Sequence, residues 1–210
     1  MLYRYLLLVR FGLVNLVAFA LLAGAYMQGW LDVILRADLV ELSYAIGGLF
    51  LYGFVICAAR VWSTSRELND VMAGAPAPGS YAGRYLDNRD GGDGGERMLG
   101  VLRLKLTNRI VVVRHVANSL VFLGLIGTVI GFIIALSGVD PAGAANAERV
   151  GGMVSTLISG MSVALNTTLV GAVLYVWLIV NHRLLATGTV DLLAATIELG
   201  HGAGVDGAPS

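Results

Sequence analysis

Ser155, Ser159, Ser162 and Asn166 recur at steps of four, three and four in a stretch that is otherwise apolar. That spacing lines them along one side of a helix. Thr167 and Thr168 follow directly, and Thr128 sits alone in a second apolar stretch, inside "LGLIGTVIGF". Serine and threonine hydroxyls can satisfy themselves on carbonyls of the preceding turn, so any one of them alone reads as packing. A run of four polar positions with a threonine on a neighbouring helix favours a partly wet path instead. Asn166 sharpens the point, because an amide in apolar surroundings needs hydrogen-bond partners.

The same two stretches lack something. Residues 116–139 and 153–180 hold no Asp, Glu, Lys or Arg. Ionisable side chains within a membrane usually mark ion and proton pathways. If protons move here, the titrating group is expected from another chain. Asp32, Asp38 and Glu41 read as boundary charges. His115, His182 and His201 have no carboxylate or cysteine partner at a telling spacing and read as surface or interface residues. The single cysteine, Cys57, lies in an apolar run and reads as a small apolar side chain. No nucleophile–base pair, Cys/His cluster or phosphate loop is visible, so no enzyme, metal or organic cofactor is expected. The formal net charge of 0 leaves no whole-chain footprint for nucleic acid.

The elements that must hold these residues are membrane helices. Of 210 residues, 57% are hydrophobic and 13% charged, with mean hydropathy +0.77, against about 45–50% and 25% in soluble domains. Four stretches, roughly 5–30, 39–61, 110–139 and 153–180, each exceed the ~20 residues a spanning helix needs. The first follows Arg4 and Arg10 and contains "AGA", as a cleaved leader would. Its apolar run continues through Tyr26 and Trp30, which favours a first span.

Lysine and arginine crowd the link between the second and third spans, from Arg60 to Arg109, while the two other links hold only Arg36 and Arg149. The excess of Lys and Arg predicts both termini and the middle link on the cytoplasmic side. The expected division is 1–62, two peripheral spans; 63–108, a cytoplasmic link with helical extensions; 109–183, two pore-lining spans; and 184–210, a cytoplasmic helix and disordered tail. Within the link, "STSRELNDVMAG" continues the second helix, "APAPGS" and "DGGDGG" break it, and "GERMLGVLRLKLTNRIVVVRHV" leads as a helix into the third. Pro141 ends the third span, and "NAERVGG" forms a short interfacial helix. "LLATGTVDLLAATIEL" extends the fourth span despite Gly188, and "GHGAGVDGAPS" is the disordered end.

Helices in lipid associate through close packing of small residues and through hydrogen bonds. The third span carries such a stripe: Ala117, Val121, Gly124, Thr128, Gly131, Ala135 and Gly138, with Gly127 and Gly131 a further small pair. Thr156, Gly160, Ala164, Thr167 and Gly171 form a second small face on the fourth span. The first span is less ordered and is assigned to the lipid-facing periphery.

"FLGLIGTVIGFIIAL" followed by "MSVALNTTLVGAVLYVWLIVNHR" resembles the MotA/TolQ/ExbB proton-channel family, most specifically in "GLIGTVIG" and "TTLVGA". The resemblance implies an all-α ring of five copies around a dimer of a single-span partner similar to MotB, TolR or ExbD. The partner's membrane Asp would carry the proton, and sodium is an alternative ion in this family. Thr128 and Thr168 match the family threonines near that Asp, with Thr167 adjacent; Asn166, Ser162 and Ser159 join them as expected contacts. Gly124, Gly127, Gly131, Gly160 and Gly171 are the expected packing positions. Four spans resemble the MotA branch, yet the middle link is shorter than in flagellar MotA proteins. Val163 stands where ExbB proteins carry an acid. The process energised is left open among nutrient import, envelope maintenance, gliding and others. The alternative reading is a non-conducting four-helix scaffold.

Overall fold

The computed structural model describes residues 6–29, 40–73, 93–139 and 147–205, with residues 80 and 83. Among them the chain is all-α, with four long helices: α1 (Leu6–Met27), α2 (Val40–Met72), α3 (Asp93–Ser137) and α4 (Ala147–Val205). All four are long and apolar enough to cross a membrane. Between 11% and 33% of the most apolar window of each helix is buried within the chain, so most apolar side chains must be covered by lipid or by other chains. This is a multi-pass membrane protein.

The helix limits follow the breakers closely, with three differences. α2 runs through "STSRELNDVM" as expected. α3 starts at Asp93, inside "DGGDGG". The separate short helix expected over "NAERVGG" is absent: from Ala147 onward these residues are the first turns of α4. Gly151 and Gly152 meet nothing, and the ~1 kcal/mol each costs in helix propensity does not interrupt the backbone ladder. α4 also continues to Val205, into the segment expected to be disordered. The outer links, most of the middle link and Pro141 lie outside the described residues.

The chain divides into two compact units, each drawing on all four helices. The first comprises Met1–Leu16, Phe54–Arg114 and Val180–Ser210. Its interior includes the cluster Val71, Leu102, Leu106 and Leu192, with Leu68 and Leu199 against it. Cys57 and Val61 are also fully buried. Gly188 leaves room for Leu7: a Cβ there would lie 2.8 Å from one of its methyl groups.

The second unit comprises Val17–Gly53 and His115–Ile179. Trp177 is its aromatic centre, edge-on to Phe19 at 4.9 Å and tilted against Phe50 at 5.0 Å. Gly53 admits α2 to this unit, since a Cβ there would collide with Val116 and Leu178.

Within the first unit, α1 is tied down by a contact its sequence did not advertise. Asn15 is buried and donates from Nδ2 to Oδ1 of Asn181 at 2.8 Å and to the Phe11 carbonyl at 2.8 Å. Asn181, fully buried, donates back from its own Nδ2 to Asn15 Oδ1 at 3.3 Å. α1 has the least buried apolar window of the four helices, 11%, and Asn15 is its buried position. Asn15→Leu is expected to destabilise the protein by about 1–3 kcal/mol, because it removes a buried hydrogen-bond partner of the Asn181 amide. Asn15→Leu with Asn181→Leu should cost less than the sum of the two single changes. Thermal unfolding of the four proteins of that cycle measures the difference, and strict additivity would show that the amides do not interact.

Candidate functional site

The second unit is built on an antiparallel pairing of α3 with α4 through residues that have almost no side chain. A Cβ at Gly131 would lie 2.6 Å from the Ala164 nitrogen and 2.6 Å from the Gly160 carbonyl oxygen. A Cβ at Gly160 would lie 2.7 Å from the Ala135 Cα and closer still to the Ala135 nitrogen and the Gly131 carbonyl oxygen. A Cβ at Gly171 would lie 2.8 Å from the Leu120 carbonyl oxygen, and one at Gly138 would lie 2.6 Å from Thr156 side-chain carbons. Contacts this short are closed to any side chain, so the glycines let the two backbones touch. Gly124 is less crowded: a Cβ there would lie 3.3 and 3.4 Å from backbone atoms of Thr167 and Thr168.

The packing face of α3 is rotated slightly from the expected stripe. Leu120, Gly124, Gly127, Gly131 and Ala135 are buried, whereas Val121 and Thr128 are half-buried. Gly127, not Thr128, takes the central place, where its missing side chain makes room for Thr167. Thr128 stands on the flank of the seam.

Thr167 and Thr168 are neighbours in sequence with different surroundings. Thr167 is buried and its hydroxyl donates within α4, to the carbonyls of Val163 at 3.0 Å and Ala164 at 3.2 Å. Thr168 is half-buried and donates across the seam to the Gly124 carbonyl at 3.1 Å. In a helix that same carbonyl accepts the backbone N–H of Thr128. Thr128 and Thr168 therefore converge on one peptide group. The Thr128 hydroxyl donates to the Leu125 carbonyl at 2.5 Å. In each case the proton of the hydroxyl is committed while its oxygen keeps acceptor capacity.

The stripe of α4 lies off the seam. Ser155 and Ser162 are exposed, and Ser159 and Asn166 half-buried. Asn166 Nδ2 reaches the Ser162 hydroxyl at 3.5 Å, a long contact that leaves the amide able to donate elsewhere. The polar line is thus presented on a free surface of the unit. Val163, at the position where ExbB proteins carry an acid, is 3% exposed and packed inward. Among the described residues no three His, Cys, Asp or Glu side chains gather as a metal site would require.

Two histidines differ from one another, His115 in the second unit and His182 in the first. His115 is exposed. His182, two residues past the fourth apolar stretch, was read from sequence as a surface or interface residue. Both of its ring nitrogens are instead buried, without a hydrogen-bond partner in good geometry. The signal for this was the position of His182 beside buried Asn181 and three residues before buried Leu185.

No curated protein and no solved structure gives a significant match to the chain. The sequence profile of the MotA/TolQ/ExbB proton channel family matches residues 96–196. That match spans both faces of the glycine seam and every threonine, serine and asparagine discussed above from Thr128 to Thr168. Through this stretch of α3 and α4, the chain carries a domain of the MotA/TolQ/ExbB proton channel family.

Proposed function

We propose that the chain is the ion-conducting stator subunit of a motor driven by the proton motive force. Five copies surround a dimer of a single-span partner whose membrane Asp carries the proton. The protein sits in the bacterial inner membrane with both termini cytoplasmic, and ion flow turns the ring against the partner to do work in the cell envelope. The observation that carries this reading is the polar line Ser155–Ser159–Ser162–Asn166, kept off the intrachain seam and free to meet another molecule.

The side chains suit an acid that changes charge. A carboxylate in apolar surroundings is costly and holds its proton unless donors stabilise the charged form. The Asn166 amide and the Ser162 and Ser159 hydroxyls supply donors. The oxygens of Thr128 and Thr168, whose protons are already given to carbonyls, accept from the carboxylic acid once it is protonated. Thr167 is buried in the seam and acts on the position of the other two. As the partner Asp passes these groups it meets sites that favour the charged form and sites that favour the neutral one. The same oxygen-rich surface would suit sodium if that is the ion transported.

The test is the native mass of the complex in mild detergent together with ion flux in vesicles. The subunit is expected as a pentamer, with proton flux only when the one-span partner is present. A monomer or dimer without flux in the partner's presence would favour the scaffold reading.

A further inference from the structure

Among the described residues, two surfaces of the first unit are left uncovered, and they match each other. The first is a strip on α3 just before its apolar stretch. Leu102 and Leu106 are 2% exposed and fix the inward face. Leu104, two residues from each, points directly away from them at 3.6 residues per turn and is 72% exposed. Val101, Leu104, Asn108 and Val111 follow at steps of three, four and three, all exposed. That is the spacing of a helix–helix seam, with one amide of the kind that sets register. Arg103 and Lys105 flank it on opposite sides, and residues 100–112 contain no acid.

The second surface is a cavity of about 360 Å³ lined by α1, α2 and α4, with no residue from α3. Its α4 wall is Leu184, Thr187, Asp191, Ala194 and Glu198, again at steps of three and four. Leu6, Leu68 and Met72 supply apolar surface from the other two helices. The cavity carries two acids and one cation, Arg10.

We infer that the α3 strip of one copy docks in the α1–α2–α4 groove of the next. Both surfaces repeat at the same 3.5-residue period, so knobs of one can enter holes of the other. Their charges are of opposite sign. Because the strip and the groove are formed by different helices, the contact is head-to-tail, the kind that closes into a ring when the rotation allows. The inference rests on the ring proposed above and assigns the contact outside the apolar spans that fixes neighbour to neighbour. Asp191 and Glu198 receive Arg103 and Lys105, and Leu104 fills the apolar floor.

Cross-linking in native membranes, before solubilisation, tests the contact in a Cys57→Ala background. Leu104→Cys in one copy and Ala194→Cys in another should give a dimer only when the two are co-expressed. Both changes in one chain should give a ladder ending at five. Asp191→Lys with Glu198→Lys should abolish the cross-link, and Arg103→Glu with Lys105→Glu should restore it. No cross-link in membranes whose solubilised complex still has pentameric mass overturns the docking while the ring stands. No cross-link and no pentamer overturns both. A dimer from Leu104→Cys alone shows a two-fold contact and overturns the docking. So does a photoreactive side chain at position 104 that captures lipid instead of a second copy.

Discussion

Gly160→Ala is expected to disrupt the protein, although it adds a single methyl group. The new carbon would lie 2.7 Å from the Ala135 Cα, with the Ala135 nitrogen and Gly131 carbonyl closer still. All three are backbone atoms of a neighbouring helix, so no side-chain rotation relieves the clash. Helix α3 would have to move away from α4, opening contacts along the seam. Forced displacement in a packed interior costs typically about 1–3 kcal/mol. Loss of close backbone contact along the seam should place this variant at the upper end. Gly151→Ala supplies the control, since nothing lies near that position and alanine is favoured over glycine in a helix by ~1 kcal/mol. Thermal unfolding in one detergent should separate the two variants in opposite directions from the parent. Equal melting temperatures would mean that α3 and α4 do not pack through Gly160. Gly124→Ala, which meets backbone only at 3.3 Å and beyond, should fall between them.

Thr128→Ala is expected to leave the fold and the assembly unchanged while reducing ion flux by roughly tenfold, or ~1.4 kcal/mol of barrier. The two effects separate because of where the hydroxyl points. It donates to the carbonyl of Leu125 in its own helix, so its removal strands no buried donor. The seam contact at that level is made by Gly127. What disappears is an acceptor oxygen on the flank of the seam. Thr128→Ser keeps that oxygen and should retain flux. Thr168→Val removes the matching oxygen and also one interhelical hydrogen bond, which in membranes averages about 0.6 kcal/mol. Flux in vesicles and native mass, read on the same preparations, check both parts. Full flux in Thr128→Ala would remove that threonine from the pathway.

Much of this was legible in the sequence because lipid imposes simple rules. Length and apolarity mark the four helices, and small residues mark the seam that joins α3 to α4. Ala117, Gly124, Gly131 and Ala135 of the expected stripe are buried, and Gly127, expected as a further packing position, takes the central place beside half-buried Thr128. Gly127 and Thr128 are adjacent, and spacing alone does not say which of the two faces the partner helix. Asn15 and Asn181 were missed for a different reason. A membrane amide needs a partner, and Asn166 stands in a stripe that signals one. A lone asparagine needs one equally, but the partner of Asn15 lies 166 positions away, and no local pattern points to it. The continuity of α4 past Gly151 and Gly152 was hidden as well, because a glycine pair looks like a break until the surrounding turns are seen to hold it.

The absence of charge from residues 116–139 and 153–180 bears on how the cell can build such a machine. A ring made only of this chain offers hydroxyls and amides but no group in those stretches that takes up and gives back a proton near neutral pH. On the proposed function, such a ring would be an insulator until its partner arrives. Subunits could then accumulate in excess, or wait for a scarce partner, without short-circuiting the membrane. Supply of the partner, rather than of this chain, would be the throttle on energy use.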